Sequence, residues 1–166
     1  MPVKEILLLG NPKLYEISTE VKKEELDEMI LVVKDLHDTL MDFKQKFKAG
    51  RAIAAPQIGV MKRLIYMHIG EPVIFVNPDL QITEDELMYV WDDCMSFPDL
   101  IVRVPRYRKC TVTYYDMEWE NHVNKYRDDL SELLQHEYDH LNGILAVSRA
   151  LDGRSFCLKS LKHLTE

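Results

Sequence analysis

Two histidines four residues apart, His136 and His140, bracket Glu137 inside an amphipathic run that stops at Asn142-Gly143. On a helix, residues four apart sit one turn above each other, so both imidazoles reach one point from the same face. A chain that uses this pair as metal ligands must fold that face against a further ligand. Glu137, beside the first histidine, is then placed to handle the proton of a water. Paired His and acidic residues also occur on solvated helix faces, so the pentapeptide alone leaves both a generic metal site and a surface helix open.

A catalytic site keeps three protein ligands and one open position. The remaining donors are Cys94, Cys110, Cys157, His37, His68, His122, His163 and the carboxylates. An odd number of cysteines without close pairing does not read as a disulfide framework, which points to the reducing cytoplasm. The N-terminus lacks a charged region followed by a long apolar run, and no apolar stretch approaches the length of a bilayer span. A net charge of −7 argues against binding DNA through a broad positive field.

Patterning gives the architecture. Apolar residues at Leu26, Met29, Ile30, Val33, Leu36, Leu40, Met41 and Phe43 predict a helix from about Lys23 to Phe47, closed by Ala49-Gly50. Arg63–Ile69 and Pro72–Val76 read as strands joined at Gly70-Glu71, followed by Leu87–Trp91, Ile101–Val104 and Cys110–Tyr115. A second helix begins at Tyr126 or Arg127 and runs to about Leu141; a short third one covers Ser155–Leu164. With no repeat and no flexible linker, residues 1–166 read as one α+β domain. Its strands, mostly antiparallel, pack around a central metal-binding helix, with an N-terminal and a short C-terminal helix at the ends.

Gly50-Arg-Ala-Ile-Ala-Ala-Pro-Gln-Ile-Gly59, Asp92-Asp-Cys-Met-Ser96 and Gln135-His-Glu-Tyr-Asp-His-Leu-Asn-Gly143 resemble, in order, the three signature motifs of the peptide deformylases. Ile6–Val21, Val76-Asn77-Pro78 and Val104-Pro105-Arg106 are similar to the same family, so the likeness runs from about residue 5 to 147. The resemblance implies Cys94 as third ligand beside His136 and His140. It further implies one divalent cation per chain: Fe2+ in the cell, with Zn2+ or Ni2+ as alternatives, although intrinsic affinities favour zinc over ferrous iron. Cys110 and Cys157 stay structural.

The implied reaction removes the N-formyl group from the initiator methionine of nascent peptides. Glu137 takes a proton from the attacking water and passes it to the leaving amine. The side-chain amide of Gln57 and the backbone N–H of Met95 face the developing oxyanion. Gly50, Arg51, Ala52 and Ile53 would pair with the substrate main chain as an added strand. Asp129, Glu132 and Leu133, on or near the ligand-bearing face of the second helix, flank the first side chain of the substrate. Gln135 and Asp139 orient ligands and helix.

Four departures from the family pattern stand out, the last of them a pair of residues. Asp92-Asp93 stands where the second motif usually begins Glu-Gly; Asp92 keeps the charge on a shorter stem, available to Arg106, and Asp93 would be strained if the glycine had a positive φ. Ala52 replaces a glycine and puts a Cβ at the cleft. Asp129 and Glu132 occupy places where relatives generally carry apolar residues or an arginine. They predict a tolerance for basic or polar first residues, unless both acids simply reach solvent at the rim.

Three other readings compete. A non-catalytic relative would keep the metal but bind no substrate productively, with no need for Glu137. A zinc peptidase built on the same helix would take its third ligand downstream, where only His163 and Glu166 remain. The basic residues Arg149, Arg154, Lys159 and Lys162 suggest a C-terminal segment docking at the ribosome, against the simpler reading of a solvated surface.

Overall fold

The computed structural model describes residues 3–165. A 3-10 turn at Lys23–Glu25 leads into α1 (Leu26–Phe47), with Asp27 and Glu28 in its first turn and Lys44 and Lys46 in its last, as the helix dipole favours. It ends at Lys48, whose φ of 55° lets its N–H return to the Lys44 carbonyl. Met29, Leu36, Leu40 and Phe43 are buried, each worth about 1.5–3 kcal/mol of transfer from water. Ile30, expected on that face, is 57% exposed, because it lies just outside the stripe that Met29, Leu36 and Leu40 define.

Two antiparallel sheets follow. The five-stranded sheet has the order β1 (Ala52–Ala54), β2 (Leu64–Ile69), β3 (Glu71–Gln81), β6 (Lys109–Tyr115) and β7 (Asn121–Arg127). The three-stranded sheet has the order β4 (Leu87–Asp93), β5 (Leu100–Tyr107) and β8 (Phe156–Leu158). The hairpin at Gly70 forms as expected, but β3 runs on past Val76 through a bulge at Asn77, whose φ is 50°. The Asn77 side chain accepts from the Val21 N–H and donates to the Val21 carbonyl, both at 2.8 Å, tying the approach to α1 onto the sheet.

Alternation along β1 and β2 divides the core in two. Ile53, Leu64 and Tyr66 face α1, whereas Ala52, Ala54, Ile65 and Met67 face α2 (Asp128–Leu141) with Leu133, Leu134 and Leu141. The sheet therefore carries α1 on one face and α2 on the other. Cys94, Phe97, Val102, Val104 and Ala146 form a third cluster on the smaller sheet.

Two expected boundaries change. Tyr126 and Arg127, placed at the start of the second helix, close β7 instead; that strand was not foreseen, and α2 begins only at Asp128, whose φ of 53° turns the chain. The short C-terminal helix is a 3-10 helix, Lys159–Leu164, and Phe156–Leu158 pairs with Leu100–Val102 as an edge strand because β5 offers an open side there.

The stop after α2 is as the sequence predicts. Gly143 has φ 71°, and a Cβ there would overlap the Tyr15 carbonyl. Gly143→Ala is expected to destabilise the fold by about 3 kcal/mol through strain and overlap together. Urea unfolding checks this; a loss below about 1 kcal/mol would mean that the Pro12–Tyr15 turn yields.

Candidate metal centre and cleft

The helix that carries the histidine pair is fixed at its midpoint to the second sheet. Gln135 accepts from the Tyr107 N–H at 2.9 Å and donates to the Tyr107 carbonyl at 2.7 Å, while the Ser131 hydroxyl donates to that carbonyl at 2.9 Å. Leu133 to His140, apart from Tyr138, is buried, so α2 is enclosed on most sides by the two sheets.

Cys94 leaves the end of β4 and points at the histidines. Its Sγ lies 3.4 Å from His140 Nε2, His140 Nε2 lies 3.2 Å from His136 Nε2, and the three donor atoms are all within 4.8 Å of one another. All three residues are buried. Two imidazole nitrogens and a sulfur directed at one point form a donor set that fits a single cation.

Electrostatics separates the two imidazoles. Burial, reinforced by the neighbouring His136, holds His140 well below its ordinary pKa. Burial pulls His136 the same way, but Asp92 and Cys94 outweigh it and hold His136 well above its ordinary value. The Asp92 carboxylate sits 3.0 Å from His136 Nδ1, which keeps the proton on that side and turns Nε2 toward Cys94 and His140. His140 Nδ1 is buried with no partner among the described residues, so that ring is oriented by packing and by the contacts of its Nε2.

Asp92 pairs with Arg106 at 2.8 Å, as expected from its shortened stem. Burial would raise its carboxyl, yet His136 and Arg106 together lower it to about 2. Arg106 also reaches Asp139 at 2.8 Å, and Arg149 closes on both Asp139 oxygens at 2.6 and 2.9 Å. A continuous line of charge, His136–Asp92–Arg106–Asp139–Arg149, thus leads from the donor cluster to the surface. Of these links only Asp92–Arg106 was expected; Asp139 was expected to orient the helix, with no partner named, and nothing in the sequence joins it to Arg106 or Arg149. Asp93 lies in β4 opposite Ile101 and is not among the residues with positive φ, so the expected strain is absent.

Glu137 is 4% exposed, and burial pushes its carboxyl up to about 7, a value suited to taking and returning a proton near neutrality. Its Oε2 has no partner among the described residues. Gln57, in the 3-10 turn after β1, accepts from the Ala54 N–H at 3.0 Å. Its amide nitrogen therefore faces Ser96 Oγ at 3.1 Å and Cys94 Sγ at 3.6 Å. The Met95 N–H makes no hydrogen bond among the described residues. Ser96, which sequence reasoning passed over, fixes this corner: its N–H points at Cys94 Sγ and its carbonyl accepts from Leu9.

These groups open onto a cleft of about 250 Å³ lined by Gly50, Arg51, Ala52, Gln57, Met95, Glu132, Leu133, His136 and Glu137 among others. Gly50 has φ 118° and stands where a Cβ would press on Leu40 and Phe43 at 3.3 Å. The Ala52 methyl is buried in the α2-facing cluster as well as lining the cleft. Ile53 does not line it: the side chain is fully buried against α1.

Arg51 reaches Glu132 at 3.3 Å and Asp129 at 3.6 Å. Asp129 is a rim residue with a 78% exposed side chain, whereas the Glu132 side chain is only 20% exposed and burial raises its carboxyl against the pull of Arg51. Across the mouth Lys159 reaches Asp93 at 3.5 Å. Lys159 and Arg149 are therefore both engaged within the chain. His163 is not part of the donor cluster, and Glu166 lies outside the described residues. A second cluster, Asp116, Glu120 and His122, is satisfied internally: Asp116 holds the His122 ring and the N–H groups of Glu118 and Glu120.

A buried thiol and two imidazoles around one point, with an acid on the adjoining residue and an amide donor opposite, define the site of a mononuclear metal-dependent hydrolase. The fold and the sequence narrow that class. Residues 3–155 match the family model described as polypeptide deformylase. A peptide deformylase of Pseudothermotoga lettingae is 35% identical over 158 residues, covering 95% of this chain and 88% of its own. Among solved structures, peptide deformylase from Thermotoga maritima superposes with a TM-score of 0.83 at 26% identity, covering 92% of this chain and all of the other. The Synechococcus elongatus enzyme, solved in complex with actinonin, gives 0.84 at 27%, covering 92% and 81%. The chain belongs to the polypeptide deformylase family.

Proposed function

We propose that this protein hydrolyses the formamide of N-formylmethionyl peptides, freeing the amino terminus of nascent chains in the cytoplasm and releasing formate. The observation that carries the reading is Glu137, buried beside three converging donors with the Gln57 amide turned toward the same cysteine. One divalent cation held by Cys94, His136 and His140 supplies a Lewis acid there; Fe2+ is the cellular ion in this reading, with Zn2+ or Ni2+ as substitutes.

The chain's own residues do the rest. Glu137 takes a proton from the attacking water and returns it to the departing amine. Gln57 Nε2 and the Met95 N–H donate to the formyl oxygen as it gains charge. The strand β1 lies at the sheet edge, so between Gly50 and Ile53 the backbone groups not already paired with β2, as the Arg51 carbonyl is with the His68 N–H, are available to an extended peptide. Leu133 and Glu132 border its first side chain.

Protein prepared anaerobically and loaded with iron is expected to release one formate per formyl-Met-Ala-Ser consumed; no formate from any formyl peptide sinks the reading. Cys94→Ala is expected to lose both its metal, measured by elemental analysis, and the activity. If that variant keeps its metal, the third ligand lies elsewhere and a peptidase-type site returns.

A further inference from the structure

The ion pair that crosses the cleft has no part in holding the metal or in moving the proton. Arg51 sits at the entry to edge strand β1 and Glu132 on α2, one helical turn before His136. One turn is about 5.4 Å, close to the reach from a formamide carbon at the donor cluster to the γ-carbon of the first side chain. Whatever follows the formyl group therefore meets Glu132 before it meets solvent.

The surrounding charge is uneven. Asp92 is matched by Arg106, and Asp93 by Lys159. Arg51 faces two acids, Glu132 and Asp129, which leaves this wall of the cleft with a surplus negative charge. Arg51 bonds one oxygen of Glu132; the other makes no hydrogen bond among the described residues and is not fully buried, so it presents an acceptor to the cleft. An apolar side chain laid against it must desolvate that carboxylate without replacing its partner, whereas a side chain ending in N–H groups replaces the lost water.

We propose that Glu132, positioned by Arg51, sets the side-chain specificity of the cleft and admits N-formyl peptides whose first side chain is cationic or carries an amide, alongside methionine. The inference rests on the deformylase reading and deepens it: the substrate class is wider than formylated initiator methionine. Leu133, next to Glu132 on the same helix, supplies the apolar contact for methionine. Arg51 keeps the acid from repelling a neutral substrate, because the paired carboxylate presents a hydrogen-bond acceptor more than a bare charge.

The test is the ratio of kcat/KM for formyl-Lys-Ala-Ser to that for formyl-Met-Ala-Ser, in the wild type, Glu132→Leu and Glu132→Gln. Both substitutions are expected to lower the ratio by about tenfold. Glu132→Gln should retain formyl-Gln-Ala-Ser as a substrate, which Glu132→Leu should not. Metal content and melting temperature, unchanged across the three proteins, separate this from a general loss of fold. Ratios agreeing within about twofold across the three would overturn the proposal. If none of the peptides yields formate, the deformylase reading fails instead. Melting-temperature shifts produced by the Lys and Met peptides then decide the role of Glu132 by binding alone.

Discussion

Replacing Glu137 with alanine is expected to lower kcat for formate release by about 10³–10⁴-fold while the bound metal stays near one per chain. The donors Cys94, His136 and His140 are untouched by the change, and the Glu137 carboxyl is not one of them. What disappears is the one buried acid beside the donors whose Oε2 is without a partner among the described residues. A variant that retained a tenth or more of the wild-type rate would assign the proton transfer to another group. Glu137→Gln, which keeps the shape, should be nearly as inactive and adds a second signature in the metal-free protein. Burial holds the carboxyl at about 7 there, above its ordinary 4.5. The folded chain thus binds a proton that the unfolded chain gives up between those values. This share of stability is complete below about 4.5 and is lost as pH rises through about 7. The glutamine variant should lack that slope, which urea unfolding at about pH 5 and about pH 8 would reveal.

Arg106→Leu should be the most destabilising of the substitutions considered. The guanidinium is 2% exposed and is shared between Asp92 and Asp139. Its removal takes the shared cation from two buried carboxylates and is expected to cost about 3–5 kcal/mol. Asp139 keeps Arg149, so Asp92 bears most of the change, and with it the ring orientation of His136. Metal affinity is therefore expected to fall by about 10–100-fold even in the fraction that remains folded. Chemical denaturation and a competitive chelator titration measure the two effects separately. A loss under about 1 kcal/mol would show that Asp92 is held by His136 alone. Arg106→Lys retains the charge but not the fork, and should fall between wild type and the leucine variant.

The parts of this molecule visible in its sequence are those with local causes. The stripe in α1 and the spacing of His136 and His140 follow from helical periodicity, and the stop at Gly143 from the need for a positive φ. Cys94 and Gln57 were reached only through motif resemblance, because a lone cysteine and a lone amide carry no periodic signal.

What escaped was decided at long range. Asn121–Arg127 has polar residues along most of its length and is only partly buried, so its strand character comes from pairing with β6 and not from its own pattern. Phe156–Leu158 is a strand only because β5 has a free edge at Leu100–Val102. The bridge between Arg51 and Glu132 joins positions with no sequence relationship; helical spacing placed the acid near the cleft but could not supply its partner.

The hydrogen bonds of the N-terminal segment bear on how the chain is made. Leu7 N–H is held by the Gln57 carbonyl and Leu9 N–H by the Ser96 carbonyl, both at 2.8 Å. Leu7 and Leu9 thus wait for partners far along the chain, which are synthesised long after them. Cys94 in turn waits for α2, which follows it in the chain only after β5, β6 and β7. Bringing the three donors together is therefore a late, non-local event of folding, completed only once α2 has packed against both sheets.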